Sequence, residues 1–129
     1  MSKKIPALTR REYDIMDILW DSESEMRLPE ILNQLEKITG DQFKRQTVAT
    51  FLSHLIDKEV ASSRREGRFF YYKALVPRDT YKKKETKHML DFWYKKSTPD
   101  LLLTLYKEEY LDKDKIKELE KLIDQMDEG

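Results

Sequence analysis

The chain begins with apolar positions that recur every three to four residues, which is the spacing of an amphipathic helix. Thr9 and Glu12 fit a capping box, which predicts a first helix from Arg10 to about Asp21. Two more helices are expected, one with Pro29 in its first turn and one from about Arg45 to Lys58. Their predicted buried positions are Ile15, Met16, Ile18, Leu19 and Trp20 in the first helix, Ile31, Leu32, Leu35 and Ile38 in the second, and Val48, Phe51, Leu52, Leu55 and Ile56 in the third.

A β-hairpin is predicted after the third helix. Two β-prone segments, 60–64 and 69–76, flank a short polar connection in which Gly67 can adopt a positive φ. The aromatic run from Phe69 to Tyr72 is expected to alternate, with one face packing on the helices. A protruding hairpin holds arginines where they can contact phosphates or enter a minor groove, and those of this hairpin are Arg64, Arg65 and Arg68.

Pro77 interrupts the pattern, and the remainder of the chain predicts further helices. Ser97, which precedes Pro99, and Asp112 have side chains typical of helix N-caps. The apolar positions exceed what one small monomer can easily bury, so residues 77–129 are predicted to form a helical dimerisation arm. Packing back onto the same chain is the alternative. The residues expected at the dimer contact are Phe92, Trp93, Leu101, Leu102, Leu105, Ile116, Leu119, Leu122, Ile123 and Met126.

The net charge is zero, from 25 basic and 25 acidic residues, but the charges are segregated along the chain. Residues 40–74 carry seven Lys/Arg and four Asp/Glu, residues 78–96 carry seven and three, and residues 97–129 carry five and ten. A basic middle suggests a region that faces a polyanion, and an acidic end suggests a solvated element. Ordinary patterning of helix surfaces is the alternative interpretation.

Several kinds of chemistry have no support in the sequence. The chain has no cysteine, which excludes disulfides and thiolate ligands, and its three glycines are too few for a phosphate-binding loop. His54 and His88 match no metal-ligand spacing, and no nucleophile–base arrangement is recognisable. We therefore expect no enzyme activity, no metal and no cofactor. The apolar runs are too short to cross a membrane, and a cytoplasmic protein is expected.

The third predicted helix has an outer face of small hydrogen-bonding side chains, where a surface helix usually carries Lys and Glu. A low, polar face suits a helix that lies in the major groove of DNA and contacts base edges. An ordinary solvated face is the alternative. The residues of this face are Gln46, Thr47, Ala49, Thr50, Ser53, His54 and Asp57.

Three helices followed by a hairpin is the order of a winged helix. In this variant of the helix-turn-helix, the third helix enters the major groove and the hairpin contacts the DNA backbone. The predicted fold is therefore mainly α with a small β-hairpin. We expect a winged helix-turn-helix DNA-binding domain over residues 1–76 and a helical dimerisation domain over residues 77–129.

Three motifs in this order resemble the penicillinase-repressor family, the BlaI/MecI/CopY group. They are Leu8-Thr-x-x-Glu12-x-x-x-Met16-x-x-Leu19-Trp20, Thr47-Val48-x-Thr50-x-Leu52-x-x-Leu55-x-x-Lys58 and Gly67-Arg68-x-x-Tyr71-Tyr72. The resemblance implies a bacterial transcriptional repressor that binds two-fold symmetric DNA operators as a homodimer. It implies base reading by Gln46, Thr47, Ala49, Thr50 and His54. It implies contacts to the DNA backbone by Lys44, Arg45, Ser53, Arg64, Arg65, Arg68 and Tyr72.

The sequence departs from this family at positions that bear on operator and signal. Gln46 stands where the β-lactam-responsive members have Lys, and Ala49 and His54 stand where they have Arg, so the operator sequence is left open. Glu59 stands where many members have Gly. The β-lactam-responsive members are induced by cleavage of an Asn-Phe bond and the copper-responsive members use cysteines, and this chain has neither. A sensor or protease partner would therefore be an unidentified one.

An alternative function is a winged-helix protein–protein interaction module that does not bind DNA. The basic residues at 44–45 and 64–68 favour DNA, and the outer face of the third helix offers no large apolar anchor for a protein. Salt dependence separates the two functions. Phosphate contacts by six to ten cations predict a loss of roughly 10³–10⁵ in affinity between about 50 and 200 mM salt.

Overall fold

The computed structural model describes residues 5–128, which form six helices and one antiparallel β-hairpin. The predicted class, mainly α with a small hairpin, is confirmed. The elements in chain order are α1 (Arg10–Asp21), α2 (Leu28–Thr39), α3 (Arg45–Asp57), β1 (Ala61–Glu66), β2 (Phe69–Ala74), α4 (Arg78–Trp93), α5 (Thr98–Lys107) and α6 (Lys113–Glu128).

The chain divides into two compact units after Lys82, whereas the sequence predicted a division after Val76. The difference lies in the first turns of α4, where the side chain of Tyr81 is buried. The Tyr81 hydroxyl donates a hydrogen bond to the carbonyl oxygen of Pro6 at 2.8 Å, and its ring meets Tyr13 edge-on with centroids 5.6 Å apart. The start of α4 therefore belongs to the core of the first unit.

Local interactions define the start of α1 and the end of α2. The capping box predicted at the start of α1 is confirmed. The amide of Thr9 donates to Oε1 of Glu12 at 2.8 Å, and the amide of Glu12 donates to Oγ1 of Thr9 at 3.3 Å. At the end of α2, Gly40 has a φ of 75°, in the left-handed region that glycine adopts without strain.

The core of the first unit lies between α1, α2, α3 and the base of the hairpin. Most of the predicted buried positions are confirmed. The prediction is wrong for Ile38, which is 54% exposed because it lies in the last turn of α2, outside the apolar cluster that covers Ile31 and Leu35. The buried apolar side chains are Ile15, Met16, Ile18, Leu19, Met26, Ile31, Leu35, Val48, Leu52, Leu55, Val60, Ala61 and Tyr81.

We call the hairpin, residues 61–74, the wing. It is tighter than predicted, because β1 continues to Glu66, which pairs with Phe69, and the turn contains only Gly67 and Arg68. Gly67 has a φ of 64°, which suits a two-residue hairpin turn. The wing therefore ends in a short tip with an arginine in its turn.

Tyr72 anchors the wing to the first unit. Its amide donates to the carbonyl oxygen of Met26 at 2.8 Å, and the amide of Met26 donates to the carbonyl oxygen of Tyr72 at 2.9 Å. This bridge, which the sequence did not predict, ties β2 to the loop before α2. Tyr72 packs against the apolar cluster, but Phe70 on the same face of β2 is 48% exposed. The predicted packing of that face is therefore wrong for Phe70, because it lies nearer the turn, beyond the cluster.

The second unit contains the rest of α4 together with α5 and α6. Both predicted N-caps are confirmed. Oγ of Ser97 accepts from the amide of Asp100 at 3.2 Å, and Oδ1 of Asp112 accepts from the amide of Lys115 at 2.9 Å. Neither α5 nor α6 contains a buried side chain. None of the helices within residues 5–128 is long and apolar enough to cross a membrane.

Candidate nucleic-acid interface

The two faces of α3 differ in burial. Val48, Leu52 and Leu55 are fully buried and fix the helix in the first unit. On the outer face, Oγ1 of Thr50 donates to the carbonyl oxygen of Gln46 at 2.9 Å, so the hydroxyl hydrogen is engaged within the helix. The residues predicted to read bases lie together on this face, where Ala49 is half-buried and the exposed members are Gln46, Thr47, Thr50 and His54.

An open cleft of about 400 Å³ lies between the start of α2, the outer face of α3 and the wing. Gln46 and Ala49 line it from α3, Arg45 from the first turn of that helix, and Arg68 from the wing tip. The cleft, which we call the arginine cleft, brings together residues predicted for base reading and for backbone contact. Its other lining residues are Arg27, Leu28, Pro29, Phe69, Phe70 and Tyr72.

The three wing arginines have different surroundings. Nε of Arg64 lies 2.8 Å from Oε1 of Glu25, and its Nη1 lies 3.0 Å from Oε2 of Glu66. These hydrogen bonds, first to Glu25 and then to Glu66, raise the pKa of Arg64 above its ordinary value. Arg65 donates from Nε to a carbonyl oxygen of the turn at 2.8 Å. Of the three arginines, Arg68 alone lines the arginine cleft.

The remaining residues predicted to contact the DNA backbone lie on α3 and the wing. Lys44 is the exposed N-cap residue of α3, and Ser53 is exposed on its outer face. Tyr72 lines the arginine cleft, and burial of its ring raises its pKa. Tyr72 therefore supports the wing as well as lining the cleft.

Arg27 is a candidate site residue that sequence reasoning missed. It holds the N-cap position of α2, and its guanidinium carbon lies 3.7 Å from the centroid of the Phe69 ring on the wing. Both residues line the arginine cleft. One feature of the sequence could have pointed to it: an arginine stands directly before Leu28-Pro29, at a helix start where Ser, Thr, Asp or Asn is preferred.

The end of α3 is held by a buried carboxylate on α1. Glu12 is 2% exposed, and Nζ of Lys58 lies 2.7 Å from its Oε1. Burial by itself raises the pKa of Glu12, but hydrogen bonds from Lys58 and Thr9 outweigh it and hold the pKa below its ordinary value. Nζ of Lys58 also donates to the carbonyl oxygen of Ala7 at 3.0 Å. Two of the three family motifs are therefore joined in space by one ion pair.

The residues predicted for dimerisation lie in the second unit, where most of them are exposed. Trp93 is 70% exposed and Met126 is 78% exposed. The rings of Phe92 and Trp93 meet edge-on, with centroids 5.0 Å apart. The half-buried members are Leu101, Leu105 and Ile116. The other exposed members are Phe92, Leu102, Leu119, Leu122 and Ile123.

The two histidines have different settings. His54 is exposed on α3, and the ring of His88 on α4 stacks on Phe92 with centroids 5.7 Å apart. Across the part of the chain that the structure describes, no group of three or more His, Asp or Glu side chains is arranged to hold a metal ion.

Comparison with known proteins shows similarity along nearly the whole chain. A model of the penicillinase repressor family matches residues 8–125. The penicillinase repressor of Bacillus licheniformis is 24% identical over 123 residues, covering 95% of this chain and 94% of that protein. The penicillinase repressor of Staphylococcus aureus is 25% identical, with 95% of each chain covered. The methicillin resistance regulatory protein MecI of S. aureus is 24% identical, covering 95% of this chain and 98% of that one.

Solved structures extend the comparison. The DNA-binding domain of the repressor BlaI has a TM-score of 0.52 at 29% identity, over 62% of this chain and 94% of that one. Monomeric B. licheniformis BlaI in complex with the blaP half-operator has a TM-score of 0.50 at the same identity and coverage. RosR of H. salinarum shares the fold, at 19% identity and a TM-score of 0.52 over 95% of this chain and 96% of that one. The family resemblance is thus confirmed, and the chain belongs to the penicillinase repressor family.

Proposed function

We propose that this chain is a cytoplasmic, homodimeric repressor that binds a two-fold symmetric DNA operator through α3 and the wing. The family assignment supports a DNA-binding transcriptional repressor. The complex of BlaI with a half-operator supports duplex DNA as the partner. In this proposal, the outer face of α3 lies in the major groove and the flanking cations contact phosphates.

The observation that carries the proposal is the outer face of α3 beside the arginine cleft. Gln46 presents an amide that can form two hydrogen bonds with the edge of adenine. Thr47 and Thr50 add small groups that do not hold the helix away from a groove. Arg45 and Arg68 line the cleft beside this face, at the first turn of α3 and at the wing tip. Polar readers and phosphate-binding cations therefore share one surface.

Dimerisation through the second unit is supported by its exposed apolar surface. No side chain of α5 or α6 is buried, and on α6 Leu119 is 42% exposed, Leu122 52% and Ile123 47%. Contiguous apolar surface of this kind marks an interaction site. A second copy of the chain would cover this apolar stripe, formed by Leu119, Leu122 and Ile123. The dimer would then place two copies of α3 on the two halves of a dyad.

A protein-docking module is the second candidate, and the wing gives it a specific observation. Phe69 is 40% exposed and Phe70 is 48% exposed, and exposed aromatic rings are common anchors in protein interfaces. Arg27 covers Phe69 at 3.7 Å and Arg65 lies 5.8 Å from the centroid of Phe70. Because guanidinium groups lie over both rings, we favour DNA as the partner of the wing.

Selection of random duplex DNA on the purified protein, at near-physiological salt and followed by sequencing, tests the proposal. We expect enrichment of a two-fold symmetric motif with half-sites about one helical turn apart, roughly 34 Å. The variant Gln46→Ala should change the selected sequence, whereas Arg68→Ala should weaken retention of all sequences similarly. Absence of DNA binding at every salt concentration would favour the protein-docking module.

A further inference from the structure

The arginine cleft collects positive charge, and no carboxylate lines it. Arg27, Arg45 and Arg68 all line it, and no Asp or Glu is among its lining residues. A second open cleft of the first unit, at the end of α1, has a different charge. Glu23 and Glu25 line it, and Lys73 is the one cation among its lining residues. The arginine cleft is therefore the one of these two whose chemistry suits an anion.

Arg27 is held in a defined position within this cleft. Its guanidinium carbon lies 3.7 Å from the centroid of Phe69, close enough for a cation–π contact. Its amide donates to Oε1 of Glu30 at 3.2 Å, which fixes its backbone at the start of α2. An arginine stacked on a ring loses less side-chain entropy when it binds, so it is pre-organised to form two parallel hydrogen bonds with phosphate oxygens.

We propose that a phosphodiester group of the DNA backbone binds in the arginine cleft, held by Arg27 together with Arg45 and Arg68, and that Phe69 is the positioning residue for Arg27. This inference rests on the proposed function, since it assumes that α3 and the wing face DNA. It adds a backbone contact from the start of α2 to those predicted on α3 and the wing. The contact is independent of base sequence.

The first test compares two arginine variants on one probe. The probe is a labelled duplex of mixed sequence and about 30 base pairs, long enough for two half-sites a turn apart. We expect Arg27→Gln to weaken binding roughly tenfold and to reduce the slope of log affinity against log salt by about 0.9 for each protomer bound to the duplex. The matched control is Arg10→Gln, which removes an equal charge from a side chain that is 89% exposed, pairs with Asp14 and does not line the cleft.

The second test concerns Phe69 and uses the same probe. Phe69→Leu should weaken binding severalfold, whereas Phe69→Tyr should preserve binding because the ring is retained. In a chain that already carries Arg27→Gln, Phe69→Leu should have no further effect. If Phe69 had a purely structural role, the losses of affinity from Phe69→Leu and Arg27→Gln would instead be additive. Phe69→Leu alone would then leave the slope of log affinity against log salt unchanged. Thermal unfolding of each variant shows whether the first unit remains folded.

The outcomes separate this inference from the proposed function. If the wild-type chain binds the probe with steep salt dependence, and Arg27→Gln and Arg10→Gln lower affinity equally, the phosphate site in the cleft is wrong and DNA binding stands. If the wild-type chain does not bind duplex DNA at any salt concentration, both proposals are wrong. A loss of affinity with Arg27→Gln that Arg10→Gln does not show, together with the non-additive effect of Phe69→Leu, supports the inference.

Discussion

Nζ of Lys58, just after α3, lies 2.7 Å from Oε1 of Glu12, a carboxylate on α1 that is only 2% exposed. The same carboxylate oxygen accepts from the amide of Thr9 at 2.8 Å. One buried charge therefore joins the N-cap of α1 to the end of α3. Since α3 carries the predicted base-reading face, this ion pair supports the site although neither partner lies on that face.

Removal of the ammonium group should destabilise the first unit. In Lys58→Met, Glu12 would keep its buried position and lose its cationic partner, so we expect the free energy of unfolding to fall by about 2 kcal/mol. Urea denaturation followed by circular dichroism measures this loss. The double variant Glu12→Gln with Lys58→Met should recover part of it. A loss no larger than that of a surface substitution would contradict the structural role of the pair.

The same carboxylate predicts a dependence of stability on pH. The pKa of Glu12 is lower in the folded chain than its ordinary value of 4.5, so its contribution is fully present above that value. It is lost as the pH falls below about 4.5 and through the folded pKa. Urea denaturation at a series of pH values should therefore show a smaller acid-dependent loss for Glu12→Gln than for the wild-type chain. Parallel pH profiles would mean that Glu12 titrates as it does when unfolded.

Arg64 and Arg68 should differ in their contribution to DNA binding. Arg64 is compensated by Glu25 and Glu66, whereas Arg68 lines the arginine cleft, whose lining residues include no Asp or Glu. We expect Arg68→Ala to reduce duplex affinity roughly tenfold at moderate salt, and Arg64→Ala to reduce it much less. Fluorescence anisotropy titrations at several salt concentrations measure both effects. An equal reduction would show that DNA displaces the carboxylates from Arg64.

Glu59 should be replaceable by glycine with a gain in stability. Its φ is 62°, a left-handed conformation that costs a residue with a Cβ roughly 1–2 kcal/mol. Part of this cost is offset because glycine gains entropy in the unfolded chain, so we expect Glu59→Gly to stabilise the first unit by about 0.5–1 kcal/mol. Thermal unfolding measures the change. Glu59→Ala is the matched control, since it removes the carboxylate and retains the Cβ, and an equal gain there would argue against backbone strain.

The assembly of the chain should depend on one face of α6. Leu119→Asp places a charge in the exposed apolar stripe and should convert the proposed dimer to a monomer, because burying an uncompensated charge in the contact is costly. The control is Lys121→Asp, on the opposite face of the helix by its spacing. Sedimentation equilibrium gives the mass of each variant. A monomeric wild-type chain at micromolar concentration would overturn the dimer.

Local patterns were sufficient to predict most of the first unit. The capping box at Thr9 and Glu12 and the turn at Gly67 depend on a few neighbouring residues, so sequence spacing alone reveals them. The outer face of α3 was also predictable, because its polar positions lie between buried positions at helical spacing, such as Val48 and Leu52.

Features that depend on residues far apart in the chain were not predictable in this way. The bridge between Met26 and Tyr72 and the contact of Arg27 with Phe69 arise only when the loop before α2 lies beside β2. The predicted burial of Ile38 is wrong for the same reason. Its spacing fits the apolar stripe of α2, but its turn of the helix extends past the apolar cluster.

The two faces of α3 have a consequence for divergence within the family. Val48, Leu52 and Leu55 hold the helix and face inward, whereas Gln46, Thr47 and their neighbours on the outer face take no part in the core. Substitution of the outer residues therefore carries little penalty in folding free energy. If the outer face reads the operator as we propose, a lineage can acquire a different target sequence through a few such exchanges while the scaffold stays intact. Under this proposal, new operator preferences can evolve in the fold without a passage through unstable intermediates.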